Sequence, residues 1–206
     1  MKHPVADYLS DLHQSLGVGV PETSGYPALR NLLNAVGGTL RPKITAVLHP
    51  SNTGAGLPDG GLFSSRELKK HGPDSPALCD LKPERGVIEV KSLSQDIGGL
   101  EKTPQVRGYL EHYKQILITN YRSFSLFSWE NGTPVPGERY LIANTEQAFW
   151  DKVHTLRTDQ KHPEHERLWQ FLRRALLSTA GIATPQDVAA FLASYAREAR
   201  ARSRAS

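Results

Sequence analysis

Gly86-Val-Ile-Glu-Val-Lys91 is the clearest strand in the sequence, because β-branched residues alternate with charged ones after a turn-forming glycine. Residues two apart on a strand emerge on the same face, so Glu89 and Lys91 share one face with Val87. The remaining two strand residues point to the opposite face. By itself, a Glu-x-Lys pair most often marks an exposed salt pair on a solvated surface.

A second acidic residue changes this interpretation. Pro58-Asp59 begins the preceding strand-like run, and Asp59 lies beside Glu89 if residues 59–64 and 86–91 form neighbouring strands. Two adjacent carboxylates repel each other unless a cation neutralises them. Carboxylate oxygens with open positions suit Mg²⁺, for which Mn²⁺ substitutes, and a nearby lysine stabilises an attacking hydroxide or charge developing on phosphorus. The pattern therefore predicts a Mg²⁺ site at Asp59 and Glu89, with Lys91 beside it.

The next helix carries polar residues toward the same place. Thr103 is a suitable N-cap, and Pro104 is typical of a first helical position. Gln105 and Tyr109 are four residues apart and therefore share one face of this helix. We expect that face to turn toward the end of the Glu89 strand.

Composition limits the classes of protein that need to be considered. The chain has 206 residues, 38% of them hydrophobic, and a formal net charge of +4. These values predict one domain, or one domain with a helical appendage, and a mild basicity that permits a polyanionic partner. The single cysteine, Cys79, excludes an internal disulfide framework and a cysteine-based zinc site. No apolar run approaches the ~18 residues of a membrane helix, so we expect a cytoplasmic protein without a membrane partner.

The order of the elements predicts an α/β fold. Strands are predicted at 43–48, 59–64, 86–91, 116–119, 124–127 and 140–143, and helices at 3–16, 29–36, 103–113, 145–156, 163–178 and 185–202. We expect a mixed central β-sheet flanked by helices over residues 1–143 and a C-terminal helical region over 144–206. Residues 64–85 are polar and predict a long surface excursion. The Ala/Arg-rich end predicts a connector toward a following domain.

Taken together, these motifs resemble a known family. Pro58-Asp59 followed by Glu89-Val90-Lys91 resembles the signature of the PD-(D/E)XK nuclease superfamily, and Gln105-Val-Arg-Gly-Tyr109 resembles the Gln-x-x-x-Tyr motif of its RecB-like branch. Glu22-Thr-Ser-Gly-Tyr26-Pro27-Ala28-Leu29 is similar to the opening of the nuclease domain in type IIG and type ISP restriction–modification enzymes. Ile118-Thr-Asn120-Tyr-Arg-Ser-Phe124 is similar to their strand after the Gln-x-x-x-Tyr helix.

The resemblance implies a restriction-endonuclease-like core and a Mg²⁺-dependent deoxyribonuclease of a restriction–modification or phage-defence system. It implies metal ligands at Asp59, Glu89, the main-chain carbonyl of Val90 and Glu22. Lys91 would position the nucleophilic water, Gln105 would orient it, and Tyr109 would contact the scissile strand. The implied partners are double-stranded DNA, a methyltransferase and specificity region in the same longer polypeptide, and a transient homodimer on DNA.

Other basic residues are weaker candidates for DNA contact. Lys69 and Lys70 lie in the polar excursion, and Arg107 lies on the Gln105 helix. His154, His162 and His165 match no standard zinc spacing, and we expect them at the surface. Two other functions stay open: a catalytically silent DNA-binding or assembly module on the same fold, and a repair or junction exonuclease.

Overall fold

The computed structural model describes residues 2–16, 21–48, 57–70, 83–178 and 185–203, without the side chains of residues 70, 185–187, 190 and 191. The helices are α1 (Pro4–Ser15), α2 (Tyr26–Gly38), α3 (Ser65–Lys70), α4 (Pro104–Tyr113), α5 (Glu146–Leu156), α6 (Pro163–Leu177) and α7 (Pro185–Ser203). The strands are β1 (Ile44–Leu48), β2 (Gly60–Ser64), β3 (Val87–Val90), β4 (Gln115–Thr119), β5 (Ser123–Glu130) and β6 (Thr133–Leu141). Short 3-10 turns occupy Glu22–Gly25 and Leu100–Lys102.

The strands form one mixed sheet of six strands in the order β1-β2-β3-β4-β5-β6. All neighbours are antiparallel except β3 and β4, which are parallel because α4 crosses over between them. Gly60 pairs with Ile88 and Gly61 with Val87, so the expected pairing of these two strands is confirmed. The α/β class with flanking helices and a C-terminal helix is confirmed as well. Of the helices in the described ranges, none combines the length and apolar character that crossing a membrane requires.

The two faces of β3 contact different hydrophobic clusters. Ile88 and Val90 belong to the large core that α1, α2, α5 and α6 help to form, while Val87 belongs to a smaller cluster beneath α4. This alternation follows from the period of two along a strand. Glu89 therefore lies on the same face as α4, whose N-cap Thr103 accepts a hydrogen bond from the Val106 N–H at 3.4 Å.

The last strand begins earlier than the sequence predicts. The pattern favours residues 140–143, but β6 runs from Thr133 to Leu141 after a turn at Asn131 and Gly132, which have positive φ values of 50° and 80°. Pro134 and Pro136 disfavour a central strand because proline has no N–H to donate. β6 is one of the two edge strands of the sheet, where this loss is tolerated.

The polar excursion is anchored at both ends. Glu67 of α3 is 6% exposed, and its carboxylate accepts hydrogen bonds from the backbone N–H groups of Ser64 and Glu84, each at 2.7 Å. Charge-assisted bonds of this length bring the two ends together. Residues 71–82, with Cys79, lie outside the described part of the chain.

The region assigned to residues 144–206 contributes to the main core. Phe149 of α5 and Phe171 of α6 belong to the same cluster as the sheet residues, so the boundary at residue 143 stays a prediction.

The surface position expected for His165 is wrong: it is 1% exposed and stacks on His3 with ring centroids 5.3 Å apart. His165 lies on the α6 face that buries Leu168.

Candidate active site

The pairing of β2 with β3 determines where Asp59 lies. Asp59 immediately precedes β2, and the antiparallel register that joins Gly60 to Ile88 carries it to the level of Glu89. Its Oδ2 accepts a hydrogen bond of 2.7 Å from the Val90 N–H. The Asp59 carboxylate is therefore held at the end of β3.

Glu89 and Lys91 form a close ion pair in a largely buried place. Lys91 Nζ lies 2.6 Å from Glu89 Oε1, and the exposed fractions of the two side chains are 21% and 3%. Burial raises the pKa of Glu89; Lys91 opposes this shift, and the charges of Asp59 and Glu22 reinforce it. Burial by itself would lower the pKa of Lys91, but the hydrogen bond to Glu89 and the surrounding carboxylates outweigh it and raise that pKa.

Glu22 brings a third carboxylate to this place from the short 3-10 turn before α2. Burial raises the pKa of Glu22, and the charge of Asp59 raises it further. Lys91 and a backbone hydrogen bond from Ser92 oppose the increase. Glu22 therefore interacts electrostatically with both Asp59 and Lys91, which the sequence predicts for the site.

The α4 residues face the same group. Gln105 Nε2 donates a hydrogen bond of 3.0 Å to the Tyr109 hydroxyl, as the spacing of four residues predicts. Burial raises the pKa of Tyr109; Gln105 opposes this, and the charges of Glu89 and Asp59 add to it. Gln105 itself is exposed, whereas Glu89 is buried and Asp59 and Glu22 are half-buried.

The structure does not bring the remaining candidates Lys69 and Arg107 into this group: α3, with Lys69, follows the end of β2 opposite Asp59, and Arg107 lies off the α4 face that Gln105 and Tyr109 share. Arg107 is exposed on α4, two residues from Gln105, and Lys69 is exposed near the end of α3. The side chain of Lys70 lies outside the described residues. The backbone N–H of Val90 is bonded to Asp59, which brings the main chain of Val90 to the metal site that the sequence predicts.

Two tyrosines that the motif analysis did not assign complete the surroundings. The Tyr26 hydroxyl is hydrogen-bonded to the Asp59 carboxylate, and burial followed by that contact raises the pKa of Tyr26. The Tyr121 hydroxyl donates to the backbone carbonyl of Glu22. Tyr26 could have been found from its position four residues after Glu22 in one motif, whereas no spacing rule links Tyr121 to the site.

The arrangement has more negative than positive charge. Within the described ranges, the carboxylates of Asp59, Glu22 and Glu89 lie near one ammonium group, Lys91, in a site that is partly withdrawn from water. Carboxylate oxygens are the donors that Mg²⁺ prefers, so the residue types fit this ion. Among the described residues, however, no three His, Cys, Asp or Glu side chains converge closely enough to form a complete metal site. A bound ion would have to draw these carboxylates closer together.

Comparisons of the chain with models of protein families, with curated proteins and with solved structures give no match. The resemblance to PD-(D/E)XK nucleases therefore stays a prediction. It rests on the motifs in the sequence and on the geometry around Asp59, Glu89 and Lys91.

Proposed function

We propose that this chain is a Mg²⁺-dependent DNA endonuclease domain of the PD-(D/E)XK type, with a restriction-endonuclease-like core, from a restriction–modification or phage-defence enzyme. One observation carries the proposal. Asp59 lies against the end of the strand that presents Glu89 and Lys91, in a site with more carboxylates than cations. Carboxylates whose pKa is raised by burial and by a neighbouring negative charge, as for Glu22 and Glu89, are characteristic of sites that bind a cation or perform acid–base chemistry.

The proposed ligands are Asp59, Glu89 and the Val90 carbonyl, with Glu22 as a further oxygen donor. Bound Mg²⁺ would supply Lewis-acid activation of water and neutralise charge on the scissile phosphate. Lys91 has a raised pKa, so it is an ammonium group at neutral pH and acts as a donor rather than a general base. It would hold the nucleophilic water by a hydrogen bond and stabilise negative charge on phosphorus.

Residues of α4 would position the nucleic acid and the water. The exposed Gln105 amide lies beside Tyr109 and has hydrogen-bonding capacity toward solvent, which supports a role in orienting the water. Tyr109 would contact the scissile strand and Arg107 would contact phosphates, while Lys69, which follows the opposite end of β2, would contact phosphates farther from the scissile bond. One site of this kind cuts one strand, so cleavage of both strands would use a transient homodimer on DNA. Target choice would reside in a methyltransferase and specificity region of a longer polypeptide.

Metal binding by calorimetry tests the proposal. We expect Mn²⁺ and Mg²⁺ to bind the wild-type chain and to bind Asp59→Asn and Glu89→Gln at least about tenfold more weakly, because each variant keeps its shape but loses a charged oxygen. Glu111→Gln, an exposed carboxylate on α4, is the matched control and should bind as the wild type does. Binding that is absent, or that is equal in all four proteins, contradicts a metal-dependent nuclease.

Assays with DNA separate the proposed function from its alternatives. An endonuclease nicks supercoiled plasmid in Mg²⁺, and the Asp59 and Glu89 variants lose this activity. A repair or junction exonuclease degrades linear or branched DNA and leaves the closed circle intact. A silent DNA-binding module binds duplex DNA in a chelator and equally well after substitution of Asp59.

A further inference from the structure

Tyr121 has an unusual backbone conformation beside the carboxylates. It follows β4 in the connection to β5, it is 0% exposed, and its φ is +69°. Bulky side chains seldom adopt this left-handed region, and such residues persist only where surrounding contacts hold them. β3 and β4 are parallel neighbours, so their carboxyl ends, and therefore Lys91 and Tyr121, lie at the same edge of the sheet.

Contacts from three parts of the chain hold Tyr121 in this conformation. Its N–H donates to Thr119 Oγ1 at 3.0 Å, and its carbonyl oxygen accepts from the Tyr8 hydroxyl at 2.7 Å. Its own hydroxyl donates to the backbone carbonyl of Glu22. Gly25 provides the space, because a Cβ at that position would lie 2.6 Å from atoms of the Tyr121 ring.

The Tyr121 hydroxyl contacts the first residue of a short turn, Glu22. The turn Glu22–Gly25 has four residues, and no described side chain provides an N-cap for it. The turn continues directly into α2, so that helix holds its last residues, while Glu22 lies at its other end. The hydroxyl of Tyr121 is therefore a tertiary anchor of the segment that presents the Glu22 carboxylate. Burial first, and then the charges of Glu22 and Asp59, raise the pKa of Tyr121, so this hydroxyl stays protonated and continues to donate.

We propose that Tyr121 is a positioning residue for the cation site: by holding the Glu22 backbone, its hydroxyl directs the Glu22 carboxylate toward Asp59 and Lys91. The inference rests on the proposed function, because it assigns a role to the same site. Tyr121 touches neither the cation nor the DNA. Its effect on cation binding passes through Glu22 alone.

Tyr121→Phe tests the role, because it keeps the ring in the core and removes only the hydroxyl. We expect Mn²⁺ to bind about tenfold more weakly, the lower end of the effect of losing a group that orients a metal ligand. In the background of Glu22→Gln, the same change should cause no further loss. Tyr140→Phe is the matched control, since that buried hydroxyl contacts Glu164, a residue that the structure does not bring to the carboxylate group. Wild-type affinity in Tyr121→Phe, or an equal loss in Tyr140→Phe, overturns the proposal.

A second measurement needs no metal. Carbon-13 NMR of the carboxyl groups follows the titration of Glu22, which should occur above the ordinary glutamate range in the wild type and move toward that range in Tyr121→Phe. Tyr140→Phe should leave it unchanged. Tyr8→Phe, which frees the Tyr121 carbonyl, should move it in the same direction to a smaller extent, and serves if Tyr121→Phe does not fold.

The two measurements distinguish a failure of the nuclease proposal from a failure of the role proposed for Tyr121. If the wild type binds no Mn²⁺, the nuclease proposal fails, and the titration of Glu22 alone decides whether Tyr121 positions it. If the wild type binds Mn²⁺ and Tyr121→Phe matches it in both measurements, the nuclease proposal stands and the role of Tyr121 is refuted.

Discussion

Two groups of charges within the described part of the chain differ in their balance of acids and bases. The site group consists of Glu22, Asp59, Glu89 and Lys91, with more acids than bases. The helix-linking group joins β6, α6 and α7 and consists of Glu138, Glu198, Arg174 and Arg202, with equal numbers of each sign.

The helix-linking group pairs each charge with one of opposite sign, although Arg174 Nη1 is buried without a hydrogen-bond partner among the described residues. Arg174 is 3% exposed and donates from Nε and Nη2 to Glu138 at 2.9 and 2.8 Å. It also contacts Glu198, which Arg202 contacts from the other side, and it lies 4.2 Å from the centre of the Tyr195 ring. Burial would lower the pKa of Arg174, but Glu138 and Glu198 outweigh burial and raise it.

The different balance of acids and bases indicates different roles for the two charge groups. Paired, hydrogen-bonded charges hold α7 against α6 and β6, and the group gains nothing from a further ion. In the site group, burial and then the charge of Asp59 raise the pKa of Glu22 and Glu89, so these two carboxylates are destabilised as anions. A protein tolerates such a cost at sites where a ligand or a reaction uses it.

Substitution in the helix-linking group should have the largest effect on stability. Arg174→Met removes the shared partner and leaves the Glu198 side chain, 6% exposed, with a buried charge and with Arg202 as its remaining ion-pair partner among the described residues. We expect the free energy of unfolding to fall by about 3–5 kcal/mol, measured by urea denaturation. Mn²⁺ affinity of the folded fraction should not change. A loss below ~1 kcal/mol would mean that α7 is held mainly by other contacts.

Substitution of Glu22 should change the free energy of unfolding by a smaller amount than Arg174→Met does, and should increase it. The pKa of Glu22 is raised, so the folded chain prefers the protonated form and loses stability as the pH rises from the ordinary glutamate range through the raised pKa. The neutral Glu22→Gln should therefore stabilise the metal-free protein at pH 7 by about 0.5–2 kcal/mol, while it weakens Mn²⁺ binding.

Urea denaturation in a chelator at pH 4 and pH 7 measures this effect. The gain from Glu22→Gln should be present at pH 7 and should disappear at pH 4, where the wild-type carboxyl is protonated. Glu111→Gln, with its exposed side chain, should stay within ~0.5 kcal/mol of the wild type at both pH values. If Glu22→Gln instead lowers the stability at pH 7, the Glu22 charge stabilises the folded protein, as the charges of the helix-linking group do. A proton bound to Glu22 also competes with the cation. The Mn²⁺ affinity of the wild type should therefore increase as the pH rises.

The parts of the site that follow local periodicity were accessible from the sequence. The alternation along β3 assigns Glu89 and Lys91 to one face, and the pairing with β2 brings Asp59 to them. The spacing of four residues predicts the contact between Gln105 and Tyr109.

Other features depend on tertiary contacts that no local pattern encodes. The hydrogen bond from Tyr8 to Tyr121 spans 113 positions of the sequence, and the positive φ of Tyr121 has no signal in its residue type. His165 has a polar residue type but lies on the buried face of α6. The early start of β6 was hidden by Pro134 and Pro136, because only the completed sheet reveals that this strand is at the edge.

The smallest effect should come from Tyr26, whose hydroxyl is hydrogen-bonded to the Asp59 carboxylate. Tyr26→Phe removes one donor, but the Val90 N–H at 2.7 Å still holds Asp59. We therefore expect the metal-free protein to lose about 0.5–1.5 kcal/mol of stability by urea denaturation, the usual contribution of one hydrogen bond. Because the remaining bond keeps Asp59 at the end of β3, Mn²⁺ affinity should fall less than in Tyr121→Phe. An equal or greater loss of affinity in Tyr26→Phe would make Asp59, rather than Glu22, the carboxylate whose placement depends most on a tyrosine.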